Sequence, residues 1–190
     1  NTPCMIAEFQ EWLEANNCYV FTINGFPYGA FHGTRVKEQV FKPDWSTPER
    51  LAYTCELFDI LAKLLPKGVP GSVSTLPGSH KTFGVGAEEL ERLEPEPLGL
   101  FETSGETLKF FGLYLDTYPG DLDFFQHIGL NYDTCHLAIE FEEAQEALER
   151  ITGAGIRLSK LHFSNALRLQ PTPENLERLR HFDEPVYFHQ

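Results

Sequence analysis

Apolar residues at three- and four-residue spacing (Ile6, Phe9, Trp12, Leu13) predict an amphipathic helix over residues 4–16, and a β-prone run over 18–23 follows it. Thr47 as a cap and Pro48 in the first turn open a second helix, which carries Leu51, Leu57, Ile60, Leu61 and Leu64 as far as Leu65-Pro66. Residues 71–75 read as the next short strand. Thr103-Ser104 can cap a helix with Leu108, Phe110, Phe111 and Leu115 on one side, 116–125 reads as a connector, and 126–133 as the central strand. A helix over 140–152 ends at Gly153 and Gly155; a strand at 156–162, a helix at 173–181 and the start of a strand at 185–189 complete the pattern. One stretch breaks it. Residues 88–93 look helical, yet Leu93-Glu94-Pro95-Glu96-Pro97 ends like a strand without the run of about five apolar residues that a buried parallel strand needs.

Strands and helices alternating at this spacing imply parallel strands with crossover helices, hence an α/β barrel or a doubly wound sheet. A doubly wound sheet binds nucleotides through a Gly-rich turn after its first strand, and neither G-x-G-x-x-G nor G-x-x-x-x-G-K-[ST] occurs. Polar residues instead collect at the ends of several strands: Asn24, Glu94 and Glu96, Asp133 and His136, Lys160 and His162. That distribution belongs to a barrel. The expected fold is therefore α/β, a (β/α)8 TIM barrel forming a single domain over residues 1–190. Such barrels typically take about 250 residues, so we expect this one to be incomplete, with residues missing near 85–93 and at both termini; the chain opens at Asn1 rather than at Met.

Asp133 closes an apolar run and His136 follows three residues later, so a carboxylate and an imidazole can converge above the strand end. The plainer reading is that Asp133 caps the next helix and His136 is an ordinary first-turn residue. Alternation sets Lys160 and His162 on one strand face, and would do the same for Glu94 and Glu96. Carboxylates and imidazoles gathered at strand ends form a mixed oxygen and nitrogen site suited to Mn²⁺, Co²⁺, Mg²⁺, Fe²⁺ or Zn²⁺. Taken singly, Lys160 could be a buried ion-pair partner and Glu94 a turn cap.

The loop Asn24-Gly25-Phe26-Pro27-Tyr28-Gly29-Ala30-Phe31-His32-Gly33, continuing to Pro43-Asp44-Trp45, carries many aromatics between its glycines and prolines. Such a loop either covers a ligand or packs on itself as an Ω-loop. The formal charge of −13 argues against a partner such as a long nucleic acid. No apolar run approaches the ~20 residues that span a bilayer, and no basic-then-apolar leader opens the chain. Cys4, Cys18, Cys55 and Cys135 form no C-x-x-C pair, which favours reduced thiols in a cytoplasmic protein, with Cys135 a buried structural thiol.

Asp133-Thr134-Cys135-His136 followed by Leu161-His162-Phe163-Ser164-Asn165 resembles the xylose-isomerase-like TIM barrels, which include sugar isomerases, epimerases and endonuclease IV. Phe21-Thr22-Ile23-Asn24-Gly25-Phe26-Pro27-Tyr28-Gly29, Phe31-His32-Gly33, Pro43-Asp44-Trp45, Gly71-Ser72-Val73-Ser74-Thr75, Leu93-Glu94-Pro95-Glu96-Pro97 with Glu102-Thr103, and Glu140-Phe141-Glu142 are similar to the EboE-type metabolite-traffic family of bacterial ebo operons. The resemblance implies a divalent metal held by Glu94 (Glu96 as alternate), Asp133, His136 and His162, with His189 a further candidate. It implies isomerisation or epimerisation of a small polyhydroxy or hydroxy-carbonyl metabolite, possible operon-encoded protein partners, and a proton moved by Glu96 or Lys160. Asn24, Phe26, Tyr28, Phe31, His32 and Trp45 would then contact the substrate. Two other functions fit the same families: non-catalytic traffic of a hydrophobic or prenylated metabolite, and an endonuclease-IV-like phosphodiesterase, against which the acidic balance counts.

Overall fold

The expected alternation of helices and strands recurs in the computed structural model, which describes residues 3–28, 37–76, 78–80, 83, 99 and 101–183. Helix α1 (Pro3–Ala15) leads to strand β1 (Thr22–Asn24), a 3₁₀ turn (Lys37–Phe41), helix α2 (Pro48–Leu64) and strand β2 (Ser72–Ser74). The second half runs through α3 (Ser104–Thr117), α4 (Leu122–His127), β3 (Leu130–Asp133), α5 (Thr134–Ile139), α6 (Ala144–Gly153), β4 (Leu158–His162) and α7 (Pro173–Leu179). The expected helix at 88–93 and strand at 185–189 lie outside the described residues, as do Phe31, His32, Glu94, Glu96 and His189.

Several boundaries differ from the patterning. The connector at 116–125 contains α4, because Asp121 accepts from the backbone N–H of Phe124 (3.1 Å) and caps a helix there. Gln126 and His127 belong to that helix, so the central strand starts only at Leu130. The strand expected at 18–23 forms only at Thr22–Asn24, the helix expected over 140–152 starts at Ala144, and Thr47 precedes α2 without a side-chain capping bond. At two other ends local chemistry acts as expected. Thr103 and Glu106 form a reciprocal capping box at α3. At the end of α6, the N–H of Ile156 reaches the carbonyl of Ile151 and the N–H of Gly155 that of Thr152, with Gly155 at φ +76°. That is a Schellman turn, which needs a residue tolerant of positive φ.

β1 pairs in parallel with β2, and β3 with β4. Among the described residues these stay two two-stranded sheets and close no barrel. The β3–β4 register places Asn131 opposite Lys160 and Asp133 opposite His162, with an irregularity after Leu130 that leaves Ser159 as an extra residue. Without that bulge, Asn131 and Asp133 would face Ser159 and Leu161, because a one-residue slip moves every side chain to the other face.

Two apolar clusters support the sheets. Phe110 and Phe111 of α3, Phe124 of α4, Leu137 of α5, Ala147 and Ile151 of α6, and Ile156 enclose Leu130 and Tyr132 of β3. All four residues of β3 are buried, as in a parallel strand covered on both faces. A smaller cluster of Val40, Phe41 and Leu76 lies under the long aromatic loop. Arg50 of α2 is fully buried and donates to the carbonyls of Pro43 (2.7 Å), Gly25 (2.8 Å) and Phe26 (3.2 Å), so one guanidinium holds both flanks of that loop. Burial pulls its pKa down to about 10, leaving it charged at neutral pH.

Candidate metal centre and adjoining cleft

Asp133 ends β3 and caps α5 in the same residue. Its extended backbone (φ −97°, ψ 120°) turns the chain out of the strand, and its side chain accepts from the N–H of Cys135. The capping role is therefore real, and it shares the carboxylate with a second one. Oδ1 is engaged by the Cys135 N–H (3.1 Å) and by the Ser164 hydroxyl. Oδ2 faces two imidazoles, with His162 Nδ1 at 3.4 Å and His136 Nε2 at 3.8 Å.

A second polar clasp fixes the loop after β4 against the start of α5. Thr134 Oγ1 donates to the carbonyl of Ser164 (2.8 Å) and accepts from its N–H (2.9 Å), and the Cys135 N–H also reaches Ser164 Oγ (3.1 Å). Burial would raise the Asp133 carboxyl, but the Ser164 hydrogen bond, the neighbouring His136 and the bonds from Cys135 together hold it below its ordinary value. For His162, burial and then the nearby Lys160 charge depress the imidazole despite the attraction of Asp133. An anionic carboxylate beside a neutral imidazole is the protonation state that metal binding requires.

Asp133, Cys135 and His136 have donor atoms that all lie within 4.8 Å of one another, a set that does not include His162. A tetrahedral ion with bonds of ~2.1 Å separates its ligands by about 3.4 Å, close to the 3.8 Å between Asp133 Oδ2 and His136 Nε2. The donor set therefore fits a divalent first-row ion. Cys135, read from sequence as a structural thiol, lies within the ligand cluster. Its thiol is pushed up by burial, and it hydrogen-bonds with Ser164 and Asp133.

His162 sits beside this set: its Nδ1 lies 3.3 Å from the Asn131 amide as well as near Asp133. Asn131 and Lys160 in turn line a cleft of about 940 Å³, together with Thr22, Ser72, Ser74 and Trp45. Asp133, His136 and His162 are not among its walls, and Asn131, which lines the cleft and meets His162, joins the two. Lys160 Nζ donates to Ser74 Oγ (3.3 Å), whose hydroxyl donates to Asn24 Oδ1 (3.3 Å). Lys160 and Asn24, both expected at the site, thus belong to one polar chain that crosses from β4 through β2 to β1.

The loop residues divide. Trp45 lines the cleft and donates its indole N–H to the Leu76 carbonyl (3.2 Å). Phe26 packs edge-on against Phe41, within the small cluster. Tyr28 stands against Tyr53, whose hydroxyl donates to the Pro27 carbonyl (2.9 Å). At Phe26 the loop packs on itself.

No family model matches this chain, and no curated protein or solved structure matches it either. Among the described residues, no helix is long and apolar enough to cross a membrane.

Proposed function

We propose that this chain is a divalent-metal-dependent isomerase- or epimerase-like protein acting on a small polyhydroxy or hydroxy-carbonyl metabolite, within a (β/α)8 barrel of the xylose-isomerase-like kind. One observation carries the reading: Asp133 Oδ2 meets His136 and His162 at the carboxyl ends of two paired parallel strands, with Oδ1 already tied down by Ser164 and Cys135. A bound divalent ion would supply Lewis-acid polarisation of adjacent substrate oxygens.

The chain's own groups would do the rest. Thr22, Ser72, Ser74 and Asn131 line the cleft with hydroxyl and amide groups that match a polyhydroxy substrate. Lys160, linked to Ser74 and opposite Asn131, would stabilise negative charge developing on a substrate oxygen or move the proton. Glu94 is the further carboxylate ligand and Glu96 the alternative base that the family resemblance implies. Trp45 would limit the entry of water.

The test is solvent deuterium exchange into a panel of sugars and sugar phosphates, with each candidate ion added in turn. Metal-dependent exchange that disappears in Asp133→Ala/His136→Ala supports the reading; its absence from the wild type with every ion overturns it. A second reading, non-catalytic binding of a hydrophobic metabolite, is favoured by Phe21, Leu51 and Phe58 in the cleft wall. Chelator-independent binding of a prenylated compound, without exchange, would favour it.

A further inference from the structure

Asp133, Cys135 and His136 bring an oxygen, a sulfur and a nitrogen to one point, and that combination bears on which ion is chosen. We infer that Cys135 is a thiolate ligand of the ion, which makes the centre selective for Zn²⁺ or Co²⁺ over Mg²⁺ and Mn²⁺. The inference rests on the metal reading above and adds to it both a ligand and an ion class.

Three observations bear on the thiol. First, the donor atoms of Asp133, Cys135 and His136 are mutually within 4.8 Å, so Sγ can join the carboxylate and imidazole on an ion after adjustments of no more than about an ångström, given a Zn–S bond of about 2.3 Å. Second, the N–H of Cys135 is fixed on Asp133 Oδ1 and on Ser164 Oγ. Two bonds to the Cys135 backbone restrain its Cα beside the carboxylate it would share. Third, Cys135 differs from the other three unbridged cysteines in burial: it is half-buried, while Cys4, Cys18 and Cys55 are exposed.

A soft thiolate prefers Zn²⁺, Co²⁺ or Fe²⁺, whereas Mg²⁺ and Mn²⁺ prefer oxygen donors. Binding is a proton exchange with no redox step: the thiol proton leaves to solvent as the S–metal bond forms. His162 lies outside the close set, with its Nδ1 3.4 Å from Asp133 Oδ2 and 3.3 Å from the Asn131 amide, and would steady the carboxylate as a neighbour of the ion.

Cobalt is the probe. The full chain, reduced and under argon, is titrated with Co²⁺ alone while bound metal is counted by equilibrium dialysis and the near-ultraviolet spectrum is followed. A sulfur-to-cobalt charge-transfer band saturating at one ion per chain is expected, displaced by Zn²⁺ but not by excess Mg²⁺. Cys135→Ser should abolish the band and weaken Zn²⁺ binding roughly tenfold or more. The triple substitution Cys4→Ser/Cys18→Ser/Cys55→Ser should keep it, which preserves the test if Cys135→Ser fails to fold. Stoichiometric Co²⁺ with no band in the wild type, lost in Asp133→Ala/His136→Ala, would overturn the thiolate ligand and leave the metal site standing. No bound Co²⁺ at all would overturn both.

Discussion

Single carboxylates do unlike work in this chain, and their surroundings decide which. Asp44 is fully buried and accepts from Lys42 Nζ (2.8 Å), the Ser79 hydroxyl (2.6 Å), and the N–H (3.2 Å) and hydroxyl of Ser46. Burial works against its charge, but the bonds from Lys42, Ser46 and Ser79 prevail and hold its carboxyl below the ordinary value. Asp44→Asn should cost about 1–3 kcal/mol, the range for weakening the acceptor of the buried Ser79 hydroxyl and its neighbours. Because the folded value is depressed, the contribution is complete above the unfolded carboxylate value of about 3.9 and is lost as pH falls through the lower folded one. Urea midpoints should therefore separate wild type from Asp44→Asn at neutral pH and begin to converge only as pH falls below about 4; a gap independent of pH would contradict this. Asp133 also has a saturated Oδ1, but its Oδ2 is turned toward two imidazoles. D-x-x-H was legible as a converging pair because an N-cap and a first-turn residue share one end of a helix. Cys135 was not. Asp133 has extended backbone, so neither helical nor strand periodicity applies across it, and side chains two residues apart meet.

At the scale of elements, helices were legible where a capping residue precedes an apolar stripe, as at Thr103 for α3, or where a proline opens the first turn, as at Pro48 for α2. α4 was hidden because it is only six residues long, and its cap Asp121 follows Pro119-Gly120, which reads as a turn. The register of β3 on β4 was beyond sequence spacing, since it depends on the bulge at Ser159. Gly129 makes that bulge possible: a Cβ there would strike Ser159 Oγ and lie 2.7 Å from the Arg157 carbonyl. Gly129→Ala should cost about 1–3 kcal/mol by overpacking and should weaken the site as well, because it pushes on the segment that brings Lys160 and His162 into register. Gly112→Ala in α3, where a Cβ meets nothing within 4 Å, should instead stabilise by about 1 kcal/mol. Thermal melts of both variants check the pair. Equal effects would mean that the close approach at Gly129 is not limiting.

For the whole molecule, each described strand brings chemistry to one end or to its polar face: Asn24 on β1, Ser74 on β2, Asp133 on β3, Lys160 and His162 on β4. Lys160 ties β4 to β2, and Ser74 ties β2 to β1. This gathering is what the barrel proposal accounts for, and the large apolar surfaces at Phe141 (96% exposed) and Phe163 (88% exposed) lie just beyond α5 and β4. Sequence alternation supplied the parallel α/β layout; how the two sheets stand to one another depends on side chains such as Lys160 that reach across the gap. The most direct check is elemental analysis by inductively coupled plasma mass spectrometry of the purified protein beside Asp133→Ala/His136→Ala. One transition-metal ion per chain in the wild type, lost in the double variant with its fold intact, is the predicted result. A wild type that holds no ion after reconstitution with Zn²⁺, Co²⁺, Fe²⁺, Mn²⁺ and Mg²⁺ in turn would contradict the account.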